Sequence, residues 1–341
     1  MKAVCLESTK AYDMRLKEID ELKPARDEVV IKVSAAGICG TDLRIYQGKY
    51  PGINTPIILG HEFSGQIASV GKGVEGLSIG TKVTAHPRMA SCGVCETCLN
   101  GKSNVCRQKT RLGFELDGAF AEFVKVHKDQ IHVLPNEMEL NTAALIEPVS
   151  VVVHALHGIS IKPSDVVLVI GPGTIGLIAL LLSKANGAAV AISGLSKDKQ
   201  KLLLAEKLGA DLIINAEKKS SNHLLLEMTN GEGADIVIEC TGTPGGVNNG
   251  LSLCRIGGKY IQIGTSNESM TVDFMKVAYK EIEIIGSYSH TKRDWEESIK
   301  LIHEGKIDVH PLIQDVYSLE EWETAFKVAE IGEKVKVLLK P

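Results

Sequence analysis

Val166-Val167-Leu168-Val169-Ile170-Gly171-Pro172-Gly173-Thr174-Ile175-Gly176 is the stretch on which the fold turns. Its five apolar residues, mostly β-branched, read as a buried strand that runs straight into G-x-G-x-x-G. In that context the first glycine permits a tight turn, the second lets backbone approach a pyrophosphate, and the third packs the next helix against the strand. The helix N-terminus then offers unpaired N–H groups to an anion. A dinucleotide is the natural ligand, and Gly171, Pro172, Gly173, Thr174, Ile175 and Gly176 are its candidate contacts. A glycine turn kept only for packing is the competing reading, and the alternation of strands and helices downstream weighs against it.

Beyond the turn, apolar segments recur at Ala189–Ser193, Leu212–Asn215, Ile236–Cys240, Tyr260–Gly264 and Ile282–Gly286, separated by helix-length stretches such as Thr174–Asn186 and Asp198–Leu208. With Val166–Ile170 they make six strands of an α/β, doubly wound parallel sheet. Where NAD is read through its ribose hydroxyls, an acidic residue is expected about 20 positions after the glycines, at the tip of the second strand. Here that tip is Ser193-Gly194. Lys197 can face a 2′-phosphate and Asp198 can reach the ribose from a longer loop, so NAD and NADP both stay open.

Upstream the pattern changes. Through residue 135 the apolar runs are short and alternating, at Glu28–Val33, Phe63–Val70, Lys82–Ala85, Ala121–Val126 and Ile131–Leu134, which predicts a β-rich domain. Asn141–His157 has helical spacing and marks the junction. Trp295–His303 and the strand-like Val335–Leu339 have no place in the six-strand sheet and are expected to return to the first domain. The division expected is therefore 1–147 with 288–341, and 148–287.

Length and composition agree. At 341 residues the chain exceeds the ~100 to 200 residues of one domain, and 44% hydrophobic residues are enough to fill two cores. A net charge of −4 gives no field to attract polyanions, so nucleic acid is not expected as a partner. The most apolar run, Val166–Leu182, is broken by Gly171, Pro172 and Gly173 and is too short for a membrane span of ~20 residues. The start of the chain turns polar before a secretory apolar segment could form, which makes the cytoplasm the expected address.

Eight cysteines are too few for a disulfide scaffold, yet four fall between Cys92 and Cys106. The spacing Cys92-x2-Cys95-x2-Cys98-x7-Cys106 supplies four thiolates from one loop, a closed tetrahedral set that suits structural zinc. Free or redox-sensing thiols are the plainer alternative, which this spacing disfavours. Separately, Gly37-Ile38-Cys39-Gly40-Thr41-Asp42 and Gly60-His61-Glu62 offer a thiolate, an imidazole and a carboxylate, a mixed set that leaves a position open for catalysis. Alone, each of the three has an ordinary reading as a packed or solvated side chain. Together with the four cysteines and the glycine turn they point to metal.

These motifs resemble the zinc-dependent medium-chain dehydrogenases of the alcohol, sorbitol and threonine dehydrogenase kind, over essentially the whole chain. The resemblance implies a GroES-like, β-rich catalytic domain, a Rossmann domain binding NAD(H) or NADP(H), one structural and one catalytic zinc, and a catalytic metal in the cleft between domains. It makes Cys39 and His61 catalytic zinc ligands, with Glu62 next in the Gly-His-Glu triplet. Ile146-Glu147-Pro148 is similar to the sorbitol dehydrogenase branch and makes Glu147 the fourth candidate, directly or through water; a helix N-terminal carboxylate is its alternative reading. Thr41 matches the Ser/Thr that hydrogen-bonds the alcohol oxygen and passes its proton outward. Many relatives carry a proton-relaying histidine where this chain has Arg44, which cannot shuttle a proton.

The reaction implied is hydride transfer between a secondary alcohol of a polyol, sugar or sugar phosphate and NAD(P)+. Threonine or a simple alcohol is the alternative substrate, and Tyr46, Phe114, Tyr288 and His290 are candidate residues around it. Sorbitol dehydrogenases have an arginine near Ser289. A zinc-stabilised binding protein that senses NAD(P) is the non-enzyme alternative, which the Cys39, Thr41, His61 and Glu62 set disfavours. Relatives form dimers or tetramers, so a homotetramer or homodimer is expected.

Overall fold

Glu28–Gly37 is a ten-residue strand whose valines and isoleucines are buried, and the first β-sheet is built around it. It pairs antiparallel with Glu62–Val70, with Phe123–His127 along its first half, and with Lys336–Lys340 at its far end. The sheet runs Ile131–Val133, Lys82–Ala85, Glu62–Val70, Glu28–Gly37, Lys336–Lys340, Ile313–Ser318, with Phe123–His127 as its seventh strand. Lys2–Leu6, Met14–Glu18 and Ile57–Ile58 form a smaller three-stranded sheet.

Register decides which residues meet. Gly37 lies opposite Glu62, and Leu338 lies opposite Gly37. The turn beginning at Ile38, the residues entering Glu62–Val70, and the start of Lys336–Lys340 are thereby brought together from three distant parts of the chain. Beneath them lies a core that includes Ile31, Phe63, Phe120 and Phe326, all nearly inaccessible to solvent. Each large apolar side chain so buried contributes about 1.5 to 3 kcal/mol.

The computed structural model describes residues 1–218 and 221–341, and they divide into two compact units. One comprises Met1–Ser150, His290–Gly305 and Val309–Pro341; the other comprises Val151–Ser289 and Lys306–Asp308. The stretch expected to be helical at the junction is two helices, Leu140–Ala143 and Ile146–Leu156. Pro148 sits in the first turn of the second, where its missing N–H has no intrahelical partner to lose.

In the second unit six parallel strands are ordered Leu212–Asn215, Ala189–Gly194, Val166–Ile170, Ala234–Glu239, Cys254–Gln262, Glu283–Gly286. This is the doubly wound order with its reversal beside Val166–Ile170. The fifth strand begins at Cys254, six residues before the apolar run at Tyr260. Arg255, Gly257, Gly258 and Lys259 interrupt the apolar pattern there, and the register shifts between Ala234 and Ile236. Among the described residues, no helix is long and apolar enough to cross a membrane.

Candidate metal centres

Two groups of side chains draw potential metal ligands together, each with its ligand atoms within 4.8 Å of one another: Cys92, Cys95, Cys98 and Cys106, and Cys39, His61 and Glu62. Both lie in the first unit.

The four sulfurs have the dimensions of a zinc site. With metal–sulfur bonds of about 2.3 Å, a tetrahedron has sulfur–sulfur edges of about 3.8 Å. Here Cys92 and Cys98 are 3.9 Å apart, Cys95 and Cys106 are 3.9 Å apart, and Cys92 and Cys106 are 3.6 Å apart. The backbone N–H of Cys92 donates to Cys106 Sγ and that of Cys95 to Cys92 Sγ, at 3.5 and 3.4 Å. Hydrogen bonds from Thr97 and from backbone hold the Cys95 thiol down at about 6, while burial and the neighbouring sulfurs push Cys98 up to about 11. Four sulfurs at this separation cannot all ionise without a cation among them. The residues fit a closed structural zinc.

In the second group, Cys39 is the N-cap of the short helix Gly40–Tyr46, its Sγ accepting from Thr41 N. Asp42, fully buried, returns the cap by accepting from Cys39 N at 2.9 Å. The other oxygen of Asp42 faces His61 Nδ1 at 3.5 Å. A carboxylate on that side keeps a proton on Nδ1 and leaves Nε2 free for a metal. Burial opposes charge on His61, but Asp42 and Cys39 outweigh it and raise its pKa well above the usual imidazole value. The pocket is therefore arranged to stabilise a cation at this place.

Glu62 is equally buried. Lys336 Nζ donates to its carboxylate at 2.6 Å and to Ile38 O at 3.1 Å. Burial raises the pKa of Glu62 and Lys336 opposes that rise. Glu147 lies outside the 4.8 Å group; its Oε1 meets His290 Nε2 at 2.9 Å. Burial raises its pKa, against the pull of His61 and Lys336. A soft thiolate, an imidazole and two buried carboxylates form a donor set that suits zinc.

Thr41 stands two residues beyond the Cys39 cap, and Arg44 Nη2 approaches its hydroxyl at 3.5 Å. Phe114 lies with its ring 5.1 Å from that of His61, and the Arg111 guanidinium stacks over Phe114, 4.1 Å from its centroid. Tyr46 instead packs edge-on with Tyr12 and Phe326 in an aromatic cluster. Tyr288 is exposed. Asp42 and Lys336 were not evident as site residues from the sequence. Asp42 had a signal, the acidic residue three positions after a helix cap; Lys336 had none.

In the second unit, the glycine turn has the expected construction. Gly171 is at φ +97°, in a conformation that favours glycine. A Cβ on Gly176 would lie 1.8 Å from Gly171 O, so helix and turn touch there. A Cβ on Gly173 would meet nothing within 4 Å, leaving its backbone open for a ligand to approach. Thr174 and Ile175 open the helix Thr174–Ala185. Ser193 is buried at the strand tip, its carbonyl accepting from Gly171 N at 2.8 Å, and Lys197 is exposed. A Cβ at Gly194 would lie 2.9 Å from the Pro172 ring, so a side chain at that tip would require the turn to shift. Asp198 accepts from Leu195 N at 3.0 Å. These residues fit a nicotinamide dinucleotide.

Comparison with known proteins agrees with both halves. Residues 25–136 match the alcohol dehydrogenase GroES-like domain and residues 174–304 the zinc-binding dehydrogenase domain. The chain is 37% identical to a sorbitol dehydrogenase of Halalkalibacterium halodurans, over 100% of this chain and 99% of that one. It is 35% identical to a D-arabitol-phosphate dehydrogenase of Enterococcus avium, covering 99% and 97%. The crystal structure of a zinc-binding dehydrogenase from Sinorhizobium meliloti bound to NADP superposes with a TM-score of 0.92, at 29% identity and with 100% and 99% coverage. Carrying both ligand sets and the glycine turn, and matching these relatives along their full length, the chain belongs to the zinc-dependent medium-chain dehydrogenases.

Proposed function

We propose that the protein oxidises a secondary alcohol of a polyol, sugar or sugar phosphate to the ketone, with NAD(P)+ as hydride acceptor and one proton released. The observation that carries this is the meeting of Cys39, His61 and Glu62 within 4.8 Å in a fold whose other unit holds the glycine turn. The names of the sorbitol and D-arabitol-phosphate relatives support the polyol class. On this reading residues 1–147 and 288–341 are catalytic and 148–287 bind the cofactor. Gly171 to Gly176, Ser193 and Lys197 contact the dinucleotide, and Cys92, Cys95, Cys98 and Cys106 hold the structural zinc.

Zinc held by these ligands would supply Lewis acidity that favours loss of the alcohol proton, and a nicotinamide held at the glycine turn would supply the hydride acceptor. Cys39 and His61 seat the metal, with Glu62 and Glu147 as carboxylate ligands or their water-bridged equivalents. Asp42 fixes the tautomer of His61. Lys336 compensates the buried charge of Glu62. Arg44 can only donate, so one lone pair of Thr41 Oγ accepts from it, and the other can accept the alcohol O–H as Thr41's own proton passes outward to water. Thr41 is therefore the residue placed to receive and pass on the alcohol proton.

Polyols in water, a dinucleotide cofactor and the absence of polyanion-attracting charge suit a cytoplasmic enzyme with neither nucleic acid nor membrane as a partner, assembled as a homotetramer or homodimer. A screen of polyols, sugar phosphates, threonine and short alcohols, with both NAD and NADP and followed by the absorbance of the reduced nicotinamide, tests the reading. Fastest turnover is expected on a polyol or its phosphate. Turnover confined to threonine or simple alcohols would overturn the substrate class.

A further inference from the structure

Behind Glu147 lies a buried histidine pair whose proton positions can be worked out from geometry. His86 and His290 are each 1% exposed and pack against the fully buried Trp295, with ring centroids 5.3 and 5.0 Å from it. The backbone N–H of Arg88 meets His86 Nδ1 at 3.1 Å. His86 Nε2 meets His290 Nδ1 at 3.1 Å, and His290 Nε2 meets Glu147 Oε1 at 2.9 Å.

A backbone N–H can only donate, so His86 Nδ1 carries no proton. Its proton must be on Nε2, which donates to His290 Nδ1. His290 in turn has its proton on Nε2 and donates to Glu147 Oε1. Reversing the link between the rings would leave His86 without a proton on either nitrogen. The chain Arg88 N–H, His86, His290, Glu147 thus has one direction, and it ends by requiring Glu147 to accept. Burial and the charge of neighbouring groups push His86 well below the usual imidazole value, in keeping with a neutral ring.

The backbone is shaped for this. Ser289 has φ +59°, a left-handed conformation uncommon for a residue with a side chain. Arg88 Nη1 donates to His290 O at 3.2 Å, so the residue that starts the chain also pins the main chain of its second link. Thr291 caps the helix Lys292–His303 through Asp294 and sets Trp295 under both rings.

We propose that His290, held in one tautomer by His86, is a positioning residue for Glu147. It commits Oε1 as a hydrogen-bond acceptor and leaves Oε2, which accepts no hydrogen bond among the described residues, to serve the metal seated by Cys39 and His61. This rests on the dehydrogenase function proposed for the same site. It does not rest on catalysis by His290 itself.

The test uses the full-length protein with Co2+ in the catalytic position, reading Co2+ affinity and the visible d–d spectrum, with NAD(P)H binding as the check on folding. Outer-shell partners of this kind change metal affinity by about 10 to 100-fold. His290→Leu is expected to weaken Co2+ by that factor and to alter the spectrum. His290→Gln, whose amide N–H can still reach Glu147, is expected to recover most of both. If His290→Leu does not fold, His86→Leu and His86→Gln give the same contrast one link further back. Equal Co2+ affinity and spectrum in Leu variants, Gln variants and the unaltered protein would overturn the proposal. Glu147→Ala separates the two levels: if it weakens Co2+ while the histidine variants do not, only the positioning role fails. If the unaltered protein takes up no Co2+ beyond the four-cysteine site, the metal reading itself fails.

Discussion

Lys336 is the residue whose role is most sharply constrained by burial. Its ammonium and the Glu62 carboxylate are each 2% exposed and 2.6 Å apart, so neither charge has water to fall back on. Removing one partner of such a pair leaves the other buried and uncompensated, which costs about 3 to 5 kcal/mol. Lys336→Met should therefore lower the urea midpoint of the metal-free protein markedly, and adding Glu62→Gln should restore much of the loss. A single variant as stable as the parent would show that Glu62 finds another counter-charge. Cys39, His61 and Glu62 could be picked out of the sequence because their types and short-range motifs carry metal chemistry. Asp42, Lys336 and His86 act through partners 19, 274 and 204 positions away, at His61, Glu62 and His290. Nothing local in the sequence around Lys336 or His86 announces those partners.

Among the elements, the glycine turn was the most legible, since a strand, three spaced glycines and a helix succeed one another without a gap. Its tightest contact is also its most testable. Gly176→Ala would place a Cβ 1.8 Å from Gly171 O, a backbone atom that cannot swing aside, so the helix must lift from the turn. NAD(P)H affinity is expected to fall at least about tenfold, equivalent to about 1.4 kcal/mol, while the zinc of the four-cysteine lobe stays bound. Unchanged affinity in a fluorescence titration would mean that the turn does not hold the dinucleotide. Elements were harder to read where polar residues or glycines interrupt an apolar run. Cys254–Gln262 begins with Cys254-Arg255-Ile256-Gly257-Gly258; against Ala234–Glu239 only Cys254, Lys259, Tyr260, Ile261 and Gln262 are in register, and residues 255–258 fall in the irregularity between them.

For the whole molecule, the doubly wound unit is legible because its strands and helices alternate along one continuous segment. The first unit is assembled otherwise: Lys336–Lys340 joins the strand Glu28–Gly37 from the far end of the chain, and His290 reaches Glu147 across 143 positions. Such pairings are set by sheet register and packing, which periodicity in the sequence does not report. On the proposed function, activity depends on two metals with different duties, one holding the four-cysteine lobe and one serving the reaction. Metal analysis of the active protein before and after mild chelation tests this most directly. About two zinc ions per chain are expected, one for each ligand group, with the first to leave taking turnover with it and its return restoring turnover. Full activity in protein that holds only the four-cysteine zinc would contradict the two-metal account.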